Sequence, residues 1–475
     1  MLNQLWKKGL IVALGLGSVA FAVQAQTKDL DSRVDKFVED AIREQRIPGL
    51  ALAVMRDGQI IKAKGYGLGN IELNVPASPQ TIFQSGSVGK QFTATGIMML
   101  VEEGKVGLDD KVAKYFPGAP ESWNKFTVRN LLTHTSGIKE YTGRDFDYRR
   151  DYTEEDLLKM AQAQPFDFAA GDKWSYSNTG YMLLGMLIHK VTGKFYGDFL
   201  QERIFKPLGM TTTRIISEAD IVPNRAAGYR LVKGVVKNQE WVNPTLNTTA
   251  DGSLYFTVLD LAKWDAALYT EKLIKKSSLD LMWTPVKLNN GKTYPYGFGW
   301  RVTEMNGHRL IEHGGSWQGF TTGISRYVDD KLTVVALTNL DSRHARPEDI
   351  IHGVAGIYIA ALTPPPPPKG IEDKEPQVTA LLKDILQKIG QGKADADAFT
   401  EEARKKWFPE RIKEFQEDLE DFGPAKAVDL LERKDEAVLR SYVYRLTFQD
   451  GRTLKLNLKL TDKNKIAALD QLSSE

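Results

Sequence analysis

The chain of 475 residues contains no cysteine. Disulfides, thiolate metal sites and cysteine nucleophiles are therefore all absent, and stability must come from a large buried core. Histidine is scarce, at six residues, and none of the six stands in a His-Glu-x-x-His spacing, so neither a metal nor a cofactor is expected. Charge of one sign is also lacking. Basic residues number 63 and acidic residues 61, and Lys7 and Lys8 make up the difference. A balanced chain has no field with which to hold nucleic acid or an anionic membrane surface. Long apolar runs are missing apart from Leu10 to Val23, which is too short and glycine-rich for a membrane span. With Lys7 and Lys8 before it and Val23-Gln24-Ala25 after it, that run reads as a cleavable signal peptide over residues 1–25. The protein is expected to be periplasmic or secreted, with no integral membrane segment after cleavage. No cysteine follows the cleavage site, so a lipid anchor is excluded.

Prolines are concentrated in one place, the five consecutive residues Pro364 to Pro368. Such a run is a stiff, extended spacer. It predicts a body over 26–362, a linker over 363–370 and a small unit over 371–475. In the body, Asp31 to Gln45 has helical periodicity, and Leu50 to Met55 and Gln59 to Tyr66 read as strands around Arg56-Asp57-Gly58. Residues 90–290 read as mostly helical with long loops. Strands return at Gly297 to Glu304, His308 to His313, Phe320 to Val328 and Leu332 to Asn339, followed by a helix from Pro347 to Ala361. A sheet made from both ends of the body, with a helical insertion, is an α/β fold with an all-α lobe, and the site is expected between the two. The last unit reads as charged helices from Pro376 to Leu419 and then a hairpin. Its strands, Tyr442 to Phe448 and Leu454 to Leu460, alternate around Asp450-Gly451, making a small α+β domain without a catalytic cluster.

Three stretches carry chemistry. In Phe83-Gln84-Ser85-Gly86-Ser87-Val88-Gly89-Lys90, the hydroxyl of Ser87 and the amine of Lys90 lie one helical turn apart and share a face. A serine hydroxyl attacks well only when a neighbouring base takes its proton, and a buried amine serves better than a solvated one. Alone, the pair reads more readily as an ordinary helix start with a solvated lysine. A phosphate loop is excluded by Gln84 and Gln91, and a Gly-x-Ser-x-Gly elbow by Ser85. In Tyr176-Ser177-Asn178 the tyrosine can pass a proton and the asparagine can orient a lysine or a substrate amide. Alone, this reads more readily as a helix start with Asn178 as cap and Tyr176 in the core. In His313-Gly314-Gly315-Ser316, Gly315 lets a substrate backbone approach, and the Ser316 N–H with that of Ser87 could hold an oxyanion. Alone, it is a glycine-rich turn. His134 reads as ordering its own loop and His189 as structural.

Together, and in this order, these stretches resemble the penicillin-recognising serine hydrolases. That group includes class C β-lactamases, D-alanyl-D-alanine carboxypeptidases, D-amino-acid amidases and related esterases. The resemblance runs from about Val34 to Leu340 and includes Leu131 to Ile138, Pro207-Leu208-Gly209-Met210 and Gln318-Gly319-Phe320. It implies a β-lactamase-like antiparallel sheet flanked by helices. It also implies Ser87 as the acylated nucleophile, Lys90 and Tyr176 sharing acid and base work, and Asn178 and His313 positioning substrate. His313 stands where many relatives carry the lysine of Lys-Thr-Gly, a change that implies carboxypeptidase-like or esterase-like chemistry over β-lactam hydrolysis. Ala250-Asp251-Gly252-Ser253 departs from the paired glycines usual there. The expected substrate is a small molecule or peptide containing D-amino acids. The alternatives are a carboxylesterase, a class C β-lactamase, or a binding protein without turnover. The oligomeric state is not legible.

Overall fold

The computed structural model describes residues 29–142, 146–341, 345–436, 438–449 and 453–472. The expected signal peptide, His344 and the Asp450-Gly451 turn lie outside them.

Helix α1 covers 29–44, and its Val34, Val38 and Ala41 are buried, as their spacing predicts. Strands β1 (Gly49–Arg56) and β2 (Gln59–Asn70) follow, with Asp57 and Gly58 at positive φ in the turn between them. Next come helices α2 (Lys90–Glu102), α3 (Asn178–Thr192) and α4 (Val258–Ala267). Four strands come next: β3 (Arg301–Met305), β4 (His308–Trp317), β5 (Phe320–Tyr327) and β6 (Leu332–Thr338). Helix α5 (Pro347–Tyr358) then covers them. The strands form one antiparallel sheet in the order β3-β4-β5-β6-β1-β2, with Val75–Pro76 as a short outer edge. The two ends of the body meet in its middle, where Leu50 pairs with Thr338 and Val54 with Val334.

Strand β1 is buried on both faces, the signature of a central strand covered on two sides. Ala51, Ala53 and Met55 join the core that contains Trp264 of α4 and Phe92 of α2. The alternate residues Leu50, Leu52 and Val54 face the other way, toward the layer that contains α1 and α5. Helix α2 is buried from Lys90 to Leu100, as an apolar sequence on all sides requires. Its residues share one core with the sheet and with the lobe helices Val128–Leu132, Glu154–Ala163 and α3. The helical lobe is therefore continuous with the sheet through α2.

The structure differs from expectation in five places. Strand β3 begins at Arg301 and not at Gly297, because Gly297 to Trp300 do not pair with β4, and α5 ends at Tyr358 and not at Ala361. Strand β4 does not stop at His313; it continues to Trp317, because Gly314 to Trp317 pair with Gly323 to Phe320. The tight turn is only Gln318-Gly319. Short strands at Arg214–Ile215, Tyr229–Val232, Val235–Asn238 and Leu254–Phe256 interrupt the stretch read as helix and loop. The last unit has four antiparallel strands: β7 (Ala425–Asp435), β8 (Arg440–Phe448), β9 (Thr453–Leu460) and β10 (Ile466–Leu472). Only the inner pair, β8 and β9, has the strict alternation that marks a half-buried strand.

By contacts the chain divides into residues Met1–Arg230 with Asn238–Pro364, and Leu231–Lys237 with Pro365–Glu475. The second unit has its own core. Leu382 and Ile385 of helix Pro376–Gly390, and Trp407 and Phe415 of the two helices after it, pack with Tyr442, Tyr444, Leu456 and Leu458. Among the described residues no helix is long and apolar enough to cross a membrane.

One ionic contact fastens α4 to the sheet. Arg326 of β5 donates from Nε to Asp265 Oδ1 at 2.7 Å, and Thr333 Oγ1 of β6 donates to the same oxygen at 2.8 Å. Both charged side chains are fully buried. Removing one partner leaves the other charge uncompensated, which typically costs about 3–5 kcal/mol. Asp265→Ala is therefore expected to lower the unfolding free energy by that order, read as a drop in urea midpoint at unchanged slope.

Candidate active site

Ser87 sits in the tight turn Gly86–Gly89 that leads into α2, and Lys90 is the first residue of that helix. The one-turn spacing brings Lys90 Nζ to 3.1 Å from Ser87 Oγ. Lys90 is fully buried. Its Nζ donates to Asn178 Oδ1 at 2.8 Å and to the Asp251 carbonyl at 2.5 Å. Both of these partners only accept, so together they use two N–H bonds. The third position on the nitrogen faces Ser87 Oγ: an N–H in the ammonium form, the lone pair in the neutral amine.

The local sequence explains the placement. Phe83–Gln84 pairs with Leu254–Phe256, and Ser85 Oγ donates to the Gly252 carbonyl at 2.9 Å while accepting from Leu254 N–H. Thr93 Oγ1 of α2 donates to the Ala250 carbonyl. These contacts hold residues 250–252 against the Ser87 turn and aim the Asp251 carbonyl at Lys90. The segment Ala250-Asp251-Gly252-Ser253, set apart in the sequence as a departure from the usual glycines, is thus a wall of the site.

The other wall is β4. Pairing of β3 to β4 ends at Arg301 with Glu312, so β4 from His313 to Trp317 has no β3 partner on its outer edge. The Ser87 turn lies against that edge. Gly86 has φ of +49°, and a Cβ there would come within 2.4 Å of Ser316 N; a Cβ on Gly315 would come within 2.9 Å of Ser87 N. Glycine at both positions brings the backbone N–H groups of Ser87 and Ser316 beside one another, as two donors for one oxygen require.

Tyr176 and Asn178 flank Ser177, whose hydroxyl caps α3 by accepting from Gly180 N–H at 3.2 Å. The cap is therefore Ser177 and not Asn178, which frees the Asn178 side chain to reach Lys90. Lys90 Nζ lies 4.9 Å from the centre of the Tyr176 ring. Tyr176 Oη is buried with no hydrogen-bond partner among the described residues. An unpartnered phenol lining the same cavity as Ser87 is open to a hydrogen-bonding ligand.

His134, His313 and Tyr296 form a chain that the sequence did not reveal. Ser177 N–H donates to His134 Nδ1 at 3.1 Å. A backbone amide can only donate, so the His134 proton is on Nε2, which faces Tyr296 Oη at 3.1 Å. The Tyr296 hydroxyl proton is then directed at His313 Nε2, 2.8 Å away, and His313 Nδ1–H donates to the Gly314 carbonyl at 2.6 Å. Both histidines are neutral in this arrangement. Burial and the nearby Lys90 charge push the His313 pKa down to about 4, and the same causes hold His134 well below the usual histidine range. His313 thus lines the site without a positive charge. His134 orders the Tyr176–Asn178 loop as well as its own, through the Ser177 bond and a ring contact with Tyr176 at 4.4 Å.

Glu140 was also not foreseen. Its Oε1 accepts the Asn178 N–H at the start of α3, and its Oε2 is buried without a partner among the described residues. Burial pushes its carboxyl up to about 7 against the opposing pull of that N–H. No group of three or more His, Asp or Glu side chains among the described residues has the geometry to hold a metal ion.

Such a fold around such a serine is that of a β-lactamase-like serine hydrolase. The chain belongs to the Beta-lactamase family, whose profile matches residues 31–356. It is 32% identical over 299 residues to Penicillin-binding protein 4* of Bacillus subtilis (strain 168), covering 59% of this chain and 66% of that protein. To Protein flp of Staphylococcus aureus (strain N315) it is 27% identical over 330 residues, covering 67% of this chain and 65% of the other. The chain thus spans just under two thirds of each of these relatives. Among solved structures, the octameric penicillin-binding protein homologue from Pyrococcus abyssi matches 93% of this chain and 99% of its own, with TM-score 0.62 and 24% identity. That likeness is one of fold, and its coverage extends into the last unit. The D-amino acid amidase from Ochrobactrum anthropi SV3 matches 70% of this chain and 97% of its own at TM-score 0.60 and 25% identity. The D-stereospecific amidohydrolase from Streptomyces sp. matches 68% and 97% at TM-score 0.57 and 28% identity.

The raised Glu140 pKa has a consequence for stability. Its ordinary value is 4.5, so between there and about 7 the folded state holds a proton that the unfolded state has released. Stability falls as pH rises through that window. Glu140→Gln keeps an acceptor for Asn178 N–H and removes the titration. It is expected to gain roughly 1–3 kcal/mol over wild type near pH 8 and nothing near pH 4.5, compared by urea unfolding at the two pH values.

Proposed function

We propose that the protein cleaves amide or ester bonds through an acyl-enzyme on Ser87, with D-amino-acid peptides or amides as the substrate class. The observation that carries this reading is the Lys90 amine, buried 3.1 Å from Ser87 Oγ with its other bonds taken by Asn178 and the Asp251 carbonyl. Lys90 Nζ takes the proton as Ser87 Oγ attacks the substrate carbonyl carbon. The resulting oxyanion accepts from the N–H groups of Ser87 and Ser316. The bond to the leaving nitrogen or oxygen then breaks, and the proton passes from Lys90 to it through the Tyr176 hydroxyl. Water hydrolyses the ester on Ser87 with the same groups acting in reverse, releasing the acid and restoring the serine. Asn178 and Glu140 orient the acyl side.

The D-amino-acid class is supported by resemblance to an amidase and an amidohydrolase whose names specify D-substrates. A periplasmic or secreted setting, reached through the apolar segment at 10–23, would bring the enzyme to the cell wall, where D-amino acids are found. The body over 26–362 would carry the chemistry and the unit over 371–475 an accessory role.

The test is intact-mass labelling by a fluorophosphonate, followed by turnover of D-Ala-D-Ala peptides, D-amino-acid amides, short-chain esters and a chromogenic cephalosporin. One adduct per chain on Ser87, lost in Ser87→Ala, with the D-amino-acid compounds turned over fastest, is the expected result. No adduct where a control serine hydrolase labels fully would overturn the acyl-enzyme. Faster turnover of the esters or the cephalosporin would move the function to a carboxylesterase or a β-lactamase.

A further inference from the structure

Ser87 lies where two cavities meet. One, of about 640 Å³, is lined by Tyr176, His313, Ser316, Asp341 and Glu348. The other, of about 130 Å³, is lined by Asn178, Tyr141, Asp251 and Gly252. On the acyl-enzyme reading the leaving group departs on the side of the hydroxyl that protonates it. Tyr176 lines the larger cavity and not the smaller. The larger cavity therefore receives the leaving group.

Its charges are all of one kind. Among the described residues that line it there is no lysine or arginine. His313, at the position on β4 nearest Tyr176, is held neutral by the directed chain from Ser177 through His134 and Tyr296. Lys90 is not on this lining, and its Nζ is engaged with Ser87, Asn178 and the Asp251 carbonyl. The charged side chains on the lining are Asp341, at the end of the strand after β6, and Glu348, in the first turn of α5. The fold makes room for Glu348 in particular. A Cβ on Gly314 would come within 2.0 Å of its Oε1, so glycine at 314 is what lets this carboxylate lie against the edge of β4, on the face opposite the His313 side chain.

We propose that the leaving-group side of this cleft takes a neutral or cationic group and rejects a free carboxylate. The protein is then an amidase, aminopeptidase or esterase of D-amino-acid substrates, and not a carboxypeptidase whose substrate ends in a free carboxylate beside the scissile bond. This rests on the acyl-enzyme at Ser87 and adds to it the identity of the leaving group.

The surroundings of the two acids give the proposal a pH signature. Burial pushes Asp341 up to about 6, opposed by the Gly319 N–H and Arg230 and reinforced by Glu240. Arg230 is itself paired with Glu240 at 2.6 Å. Burial pushes Glu348 up to about 7, reinforced by Glu312 and Asp349 and opposed by its own N–H and by His352, which is engaged with Glu312 at 2.9 Å. His313 faces Lys90, Glu312 and Arg301 and stays neutral throughout this range. Both acids therefore gain negative charge between about pH 5 and 8, and repulsion of a carboxylate grows with them.

The test uses an acyl-D-Ala-D-Ala peptide and its C-terminal amide, which differ only in that terminal charge. Each is measured for kcat/KM and for its protection of Ser87 against fluorophosphonate labelling, so that binding is read even without turnover. The amide is expected to be preferred by about tenfold or more near pH 7.5, with the ratio rising from pH 5 to 8. In Glu348→Gln and Asp341→Asn the ratio should move toward parity, chiefly through a gain on the free acid. Equal use of the two peptides, preference for the free acid, protection by neither, or a ratio unmoved by both substitutions would overturn the proposal. Failure of Ser87 to label at all would instead remove the acyl-enzyme reading on which it stands.

Discussion

A lysine amine buried against a serine hydroxyl is costly unless every other bond of that amine is satisfied. Here the satisfaction comes from three separate parts of the chain: Ser87 in the turn before α2, Asn178 at the start of α3, and the Asp251 carbonyl on the wall held by Ser85 and Thr93. Each part must be fixed to a fraction of an ångström for the contacts to persist. The continuous core around α2 provides that rigidity, since the helix is buried from its first residue and packs with both the sheet and the lobe. The apolar sequence from Phe92 to Leu100 thus holds Lys90 in place as much as its own hydrogen bonds do.

The sheet contributes an edge. Because β3 stops pairing at Glu312, the last five residues of β4 offer their outer side to the nucleophile's turn. Two glycines, Gly86 and Gly315, permit the approach that aligns the two N–H groups. A hydrogen-bond chain from Ser177 to Gly314 then ties the α3 wall to the β4 wall across the cleft. Its direction follows from the one member that can only donate, the Ser177 amide. The chain makes His313 a neutral polar surface and gives the buried Tyr296 a structural purpose.

Much of this was legible in the sequence, for reasons that differ by residue. Ser87, Lys90, Tyr176, Asn178, His313 and Ser316 stand in short motifs, so chemistry and spacing could be read together. The strands at both ends of the body showed themselves by apolar runs and turn residues. Gly314 and Gly315, by contrast, signal a break locally, and only the partners Thr322 and Gly323 keep them in the strand. Glu140, Tyr296, Asp341 and Glu348 are single residues far from any motif. Their roles arise when the fold brings them to the cleft, and nothing in their neighbourhoods marks them beforehand. In the last unit the inner hairpin alternates cleanly, while Ala425–Asp435 bears two register shifts against β8 that blur its period. That strand could not be read from the pattern.

The claim on which the account turns is that Lys90 removes the proton from Ser87. The most direct measurement is the rate of Ser87 acylation across pH in wild type and Lys90→Arg, with folding checked by circular dichroism. Arginine retains the positive charge and cannot release a proton in the working range. The account predicts a rate lower by about 10²–10⁴ in Lys90→Arg. A folded Lys90→Arg protein that acylates at the wild-type rate would contradict it.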